Sequence, residues 1–267
     1  MPNQNLYNLI SEALKILNKR SQDVISRRFG LRIGNKETLE SIGRSYKITR
    51  ERVRQIEEAA LRDLRKNFLK FNIGPEMAFV SKILEDSGNV LKEESLFEKY
   101  SGTPNLTKEN AALILAMLVS SQFERHQEND ELFTFWSSKN PVYAQNAKAF
   151  VSQVINYLNK SKKLLNQEDF IAETAKFMKN GALGNEAVLS YVSISKEIGK
   201  SKFNQWGLAK WPEITPRGVK DKAYLILGNF GKPAHFREIT EMINDNAFDG
   251  RKANPQTVHN ELIKDPR

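Results

Sequence analysis

Thr38–Lys66, TLESIGRSYKITRERVRQIEEAALRDLRK, is the stretch whose reading decides the fold. Thr38 is a good N-cap, and Leu39, Ile42 and Tyr46 fall on one side of the short helix that follows it. Only Lys47 and Ile48 separate that helix from a second cap, Thr49. Ile48 before the cap and Val53 at the fourth helical position have the spacing of a hydrophobic staple, and Glu51 suits the positive end of the helix dipole. At about 100° per residue, Val53, Ile56, Ala60 and Leu64 share one face. Glu51, Gln55, Arg62 and Lys66 lie opposite, Arg54 and Arg65 flank them, and Arg50 leads. Two helices about a two-residue turn, the second basic, read as a helix-turn-helix that touches DNA. Its Arg-Glu-Arg-x-Arg-Gln cluster sits at the helix start, where base contacts are made. A basic amphipathic helix also suits a solvated face, a membrane surface or a partner protein; the caps and the tight turn favour DNA.

Upstream, Leu6, Leu9, Ile10, Ala13, Leu14 and Leu17 are spaced for an amphipathic helix, interrupted at Asn18-Lys19-Arg20. A second helix runs through Asp23, Val24, Ile25, Arg28 and Phe29 to Gly30, and a polar loop spans Arg32 to Lys36. The charge is concentrated in this part of the chain. Residues 1–74 hold sixteen Lys/Arg against eight Asp/Glu, a net of +8, out of +9 for all 267 residues. That is the footprint of a polyanion-binding module. The absence of cysteine excludes disulfides and thiolate metal sites and fits a reducing compartment. The longest apolar run, Ala111–Val119, is about half the length that a membrane span needs, and the first residues lack a signal-peptide pattern. The expectation is a cytoplasmic, nucleoid-associated protein without cofactor or metal.

ISRRFGL (Ile25–Leu31), followed by the quoted stretch, resembles region 4 of the sigma-70 family of bacterial transcription initiation factors over about residues 14–70. TRERVRQIE (Thr49–Glu57) is the most specific part of that likeness. The resemblance implies that the second helix reads the −35 promoter element and that the region docks on the flap of the RNA polymerase beta subunit. By position, Arg50, Glu51 and Gln55 would read bases. The chemistry agrees, since Arg suits the guanine edge, Gln the adenine edge, and a carboxylate accepts from cytosine. Leu39 (through its N–H), Arg44, Thr49, Arg52, Arg54 and Arg62 would hold phosphates and fix the register. Plainer roles exist beside these: Thr49 as a cap, Arg52 paired with Glu40 or Glu51, Leu39 as core. A complete initiation factor also needs region 2, and only about a dozen residues precede the match.

Asn72-Ile73-Gly74-Pro75 breaks the pattern and marks a linker. Beyond it a layout recurs about every seventy residues: an apolar helix, a polar turn with a second helix, then a third helix. The first copy ends in FERHQENDELFTFW (Phe123–Trp136), two β-rich runs about Glu128-Asn129-Asp130 that predict a hairpin. The second copy has Asn185–Gly199 as its third helix and the aromatic segment Phe203–Trp211 after it. Three helices and a hairpin make a winged helix. The predicted fold is therefore mainly α: an N-terminal helix-turn-helix domain of three or four helices, followed by tandem winged-helix units with small β-hairpin wings. The expected divisions are 1–73, 76–138, 146–213 and 218–267.

The last of these, with GKPAHFREIT (Gly231–Thr240) and TVHNEL (Thr257–Leu262), resembles the HARE-HTH winged-helix domain, also found in the delta subunit of some bacterial RNA polymerases. That family is associated with transcription and chromatin and is proposed to bind DNA or protein. Its members continue into a two-stranded wing, so the expectation here is a unit truncated before its wing.

Residues 75–267 carry a net of only +1, which favours protein contact over independent DNA binding by these units. No catalytic constellation is legible. His126, His235 and His259 are isolated in sequence, GNFGK (Gly228–Lys232) is misspaced for a phosphate loop, and Glu93-Glu94 and Glu168-Asp169 read as solvated first-turn carboxylates. Two readings follow. One is a DNA-binding transcription factor that contacts RNA polymerase. The other is a polymerase-binding adaptor or sigma antagonist that uses the same region for protein docking. Oligomeric state is not legible.

Overall fold

The computed structural model describes residues 6–178 and 184–266. The mainly helical expectation holds, with only small antiparallel sheets. The chain divides into two compact units, Met1–Lys148 with Ala182–Ile194, and Ala149–Gly181 with Ser195–Arg267.

The first unit opens with α1 (Leu6–Leu14), α2 (Lys19–Phe29), α3 (Leu39–Tyr46) and α4 (Arg50–Lys66). The break foreseen at Asn18 is a cap: its side chain accepts a hydrogen bond from the Ser21 N–H, so α2 starts one residue later. Gly30 ends α2 at φ +80°, a conformation glycine takes without penalty. A 3₁₀ turn at Phe68–Phe71 then leads into α5 (Gly74–Asp86). The stretch read as a linker is thus the start of a helix, with Pro75 in its first turn, and Ile73 is buried in the core. Next come β1 (Val90–Lys92), α6 (Glu93–Ser101), α7 (Lys108–Ser120), β2 (Phe123–His126) and β3 (Phe135–Ser138).

The sheet order is β1-β3-β2, both pairings antiparallel, with Leu91 opposite Trp136 and Arg125 on the other side of Trp136. Helix, strand, two helices and two strands in this order make a winged helix. The short strand β1 was not legible in the sequence because it supplies only three residues to the ladder. One hydrophobic core runs through residues of both expected divisions of this unit, from Leu6 and Ile10 of α1 to Trp136 of β3. At its centre is α7, whose residues Ala111 to Met117 are all buried. From Ala111 to Met117 the helix is apolar all round and has no solvent face to offer; α1, α2, α4, α5 and α6 all pack against it.

The first unit also holds α10 (Asn185–Ser193), packed on β1. The Tyr191 hydroxyl donates to the Gly88 carbonyl at 2.9 Å, the Ser190 hydroxyl donates to the Val90 carbonyl, and Lys99 pairs with Glu186. The helix expected to run from Asn185 to Gly199 stops at Ser193. Its last residues form β4 (Ile198–Lys200), paired with β5 (Trp206–Leu208) in the second unit. The β-branched Ile198, and Gly199 pressed against Ile214, favour the strand over a continued helix.

The boundary between the units falls within α8 (Pro141–Ser161). The second unit continues with α9 (Gln167–Ala175), a bridge between Leu165 and Trp206 that adds a second short pairing to β5, and then α11 (Val219–Phe230), α12 (Phe236–Asp245) and α13 (Pro255–Lys264). Ala223, Ile226, Ile239, Ile243 and Val258 form the core of these last three helices. His235 is the N-cap of α12, accepting from the Arg237 N–H. Thus His126, in β2, and His235 and His259, on α12's cap and α13, each sit on a different element. No helix among the described residues is long and apolar enough to cross a membrane.

Candidate nucleic-acid interface

Helices α3 and α4 are held by local chemistry at every joint. Thr38 Oγ1 accepts from the Ser41 N–H at 3.1 Å, and Thr49 Oγ1 accepts from the Arg52 N–H at 3.2 Å, so each helix has a side-chain cap. Lys47 takes φ +53° and lets the chain reverse, while the Ile48 N–H donates to the Gly43 carbonyl at 3.0 Å. Beneath the turn, Val24, Ile42 and Val53 are fully buried, with Leu39, Tyr46, Ile48 and Ile56 packed against them. The staple pair Ile48 and Val53 therefore belongs to one small cluster.

The sequence did not single out Gly43. It is buried, and a Cβ there would lie 2.8 Å from the Ile48 carbonyl oxygen. The available signal was a glycine inside a short helix just ahead of a tight turn, where glycine costs helix propensity and so needs a packing reason. A second group that local patterning could not reveal braces α2 against α3. Arg27 grips Glu37 with two hydrogen bonds, at 2.8 and 2.7 Å, and reaches the Ser45 hydroxyl at 2.7 Å. Hydrogen bonding from Arg27, against a smaller cost of burial, holds the Glu37 carboxyl below the usual carboxylate range. The Tyr46 hydroxyl donates to Asp23 at 2.7 Å, and Asp23 also pairs with Arg27 and Arg32.

The residues expected to meet DNA are brought together by this frame. Arg50, Glu51, Arg52, Arg54 and Gln55 are exposed in the first two turns of α4, and Arg62 is exposed two turns further on. Arg44 is exposed near the end of α3 and Thr49 lies at the turn; Leu39 is half-buried, its side chain against the cluster beneath. The exposed groups are cross-linked along the helix. Arg54 holds both Glu51 oxygens, at 2.9 and 2.7 Å, and pairs with Glu58, while Arg52 donates to the Gln55 side-chain oxygen at 3.0 Å. Arg52 thus bonds Gln55, rather than the carboxylates Glu40 or Glu51 named as its alternative partners. Arg65, at the far end, donates to the Leu118 carbonyl of α7 at 3.1 Å, so that end of the helix is tied to the core.

Glu93 departs from its expected role as a solvated carboxylate. It is buried, receives Arg125 on both oxygens and the Trp136 indole N–H at 2.9 Å, and lies 3.7 Å from Lys36. Burial alone would push its carboxyl up; Arg125, Lys36 and the indole outweigh that and hold it down. This network pins the loop before α3 to the sheet. In the same loop, Gly34 at φ +75° passes so close to the Leu106 carbonyl that a Cβ would sit 2.6 Å from it.

Residues 13–66 match the family Sigma-70, region 4. The matched region takes in the whole of α2, α3 and α4. It is similar to the RNA polymerase sigma factor SigA of Lactococcus lactis subsp. cremoris, 45% identical over 56 residues, which is 21% of this chain and 15% of that protein. SigA of Clostridium acetobutylicum is 50% identical over 60 residues, 21% and 16% of the two chains. RpoD of Neisseria gonorrhoeae is 44% identical over 61 residues, 23% and 10%. The chain therefore spans about one sixth or less of the length of these curated relatives. The other four fifths of its own residues lie outside the likeness.

Proposed function

We propose that the chain is a sequence-specific DNA-binding protein of bacterial transcription initiation, which reads a −35-like promoter element with the Thr49–Lys66 helix and contacts RNA polymerase. The observation that carries this reading is the exposed polar edge of α4, set on a capped helix-turn-helix inside the sigma region 4 match. In this reading Arg50, Glu51 and Gln55 address base edges, and Leu39, Arg44, Thr49, Arg52, Arg54 and Arg62 hold the backbone. The flap of the polymerase beta subunit is the proposed protein contact, the setting is the nucleoid, and no step of the role calls for catalysis. Segments 76–138 and 146–213 serve as winged-helix units, and 218–267 as a HARE-HTH-like unit similar to the polymerase delta subunit.

Two helices that would be readers in a winged helix favour protein scaffolding for the middle segments. The third helix of the first is α7, buried from Asn110 to Met117, and the helix in the same place in the second layout is α10, packed on β1. The test is a gel-shift series with Arg50→Ala, Glu51→Ala and Gln55→Ala on matched and mismatched promoter duplexes. Loss of discrimination by roughly 1–3 kcal/mol per base contact is expected. If all three bind every sequence as the parent does, readout by this helix is wrong.

The second reading, an adaptor or sigma antagonist that docks on polymerase without specific DNA readout, is favoured by the pairing of Glu51 with Arg54 and of Gln55 with Arg52 along the helix, which occupies these groups without DNA. Polymerase capture with no footprint on promoter DNA would select it.

A further inference from the structure

On the flank of α4 that faces α7 lies an open cavity of about 200 Å³. Arg28 of α2, Lys36 of the following loop and Arg125 of β2 converge on it, with Glu57 of α4 as the carboxylate in its wall. Glu93 stands behind. Three cations thus share two carboxylates, and the sharing is uneven. Arg125 occupies both Glu93 oxygens and the Trp136 indole takes another lone pair, which leaves Lys36 at 3.7 Å. Arg28 meets Glu57 only at 3.4 Å and spends one more donor on the Glu37 carbonyl. The floor is apolar, formed by Leu61, Ile114 and Leu118. A partly desolvated positive excess costs stability unless an anion offsets it, so its presence in a cavity marks a binding site more than a structural pair.

We propose that this cavity binds a small phosphorylated molecule, its phosphate held by Lys36 and Arg28 and its body laid over Leu61 and Leu118. A tetrahedral oxyanion accepts the guanidinium and ammonium donors that the carboxylates leave unused, and the apolar floor selects a body less polar than the phosphate. The protonation balance agrees. Burial, with Arg125 and Arg28 nearby, holds the Lys36 ammonium below the ordinary lysine range despite Glu93, and an arriving anion would restore it. Burial likewise pushes the Glu57 carboxyl up, against the pull of Arg28.

The site is separate from the DNA-facing edge. Glu57 and Leu61 line the flank of α4 away from Glu51, Gln55 and Arg62, so the site does not depend on whether that edge reads promoters. Because four elements wall the cavity, occupancy should tighten the seat of α4 on α7.

The test is a thermal-shift and calorimetric titration of the full chain with phenyl phosphate and with inorganic phosphate, ionic strength held constant with chloride. Saturable stabilisation is expected from both, with phenyl phosphate the tighter. Lys36→Met and Arg28→Met should each weaken binding roughly tenfold, about the loss of one charge-assisted contact. Folding of each variant is checked by its unliganded melting transition. Lys36→Gln and Arg28→Gln, which keep more of the polar contact of each side chain, keep the proposal testable should either Met variant fail to fold, because they too should weaken phosphate binding roughly tenfold. Lys82→Ala, exposed on α5 outside the cavity, should leave it within about twofold. No saturable shift in the parent, or shifts that persist unchanged in both Met variants, would overturn the proposal. So would displacement of phenyl phosphate by short duplex DNA, which would place a backbone phosphate there instead.

Discussion

The Cα of Gly43 lies so close to the Ile48 carbonyl that a methyl group on it would stand 2.8 Å from that oxygen. The tight turn between α3 and α4 exists because nothing projects from position 43. Gly43→Ala therefore sets two effects against each other. Helix propensity gains about 1 kcal/mol, while overpacking against a backbone atom costs about 1–3 kcal/mol because the neighbour cannot rotate away. The expected result is a net loss of about 1 kcal/mol in urea unfolding. A variant more stable than the parent would mean that the turn relaxes freely.

A fragment of residues 1–73 should not fold cooperatively alone. Leu6, Ile10, Ala60 and Leu64 belong to the core that closes over α7, and without α7 they face water. Within the full chain, Leu113→Ala should cost about 2–5 kcal/mol, as expected where no solvent can relax the cavity. Sharp, two-state melting of the isolated fragment with dispersed amide resonances would refute the shared-core account.

The surface pairs of α4 predict a split between stability and DNA binding. Arg54 and its partners Glu51 and Glu58 are exposed, so Arg54→Ala should leave the melting temperature almost unchanged. If α4 binds DNA as proposed, Arg54→Ala and Arg62→Ala should weaken all duplexes alike. Each should also lower the slope of log affinity against log salt by about 0.9. Unchanged slopes would remove these two from the phosphate contacts.

His126 makes the stability dependent on pH in a known direction. It stacks on Phe135 at 4.4 Å and shares a hydrogen bond of 3.0 Å with the Ser137 hydroxyl. Burial lowers the affinity of its ring for a proton, with Lys148 adding to this and Glu124 opposing it. The unfolded chain then binds the proton more tightly than the folded one. The contribution is fully present above the free histidine value of about 6.5 and is lost as pH falls through the lower folded value. Melting temperatures of the parent should decline from pH 7 toward pH 5 more steeply than those of His126→Gln. Parallel curves would show that the ring titrates as it does in water.

The helix-turn-helix was legible because its determinants are close in sequence. Thr38, Thr49, Ile48 and Val53 act over five residues or fewer, and caps and staples are the same wherever the helix is placed. The exposure of Arg50, Glu51, Gln55 and Arg62 followed from helical period alone. Less could be read where partners are distant. Glu93 looked like an ordinary first-turn carboxylate, and only Arg125 and Trp136, more than thirty residues away, bury it. The end of α10 was misread because Ser193–Gly199 suits either state until β5 offers a partner.

By itself, then, the sequence determined the local geometry of α2 to α4 and the polar edge of α4. Those follow from caps, charge and hydrophobic period. The tertiary structure decided what covers each buried face: α1, α2, α4, α5 and α6 pack on α7, α10 covers β1, and Lys36 and Arg125 meet at Glu93. An apolar face specifies that it must leave water, but area alone carries no address. Only the packing of distant elements supplies one.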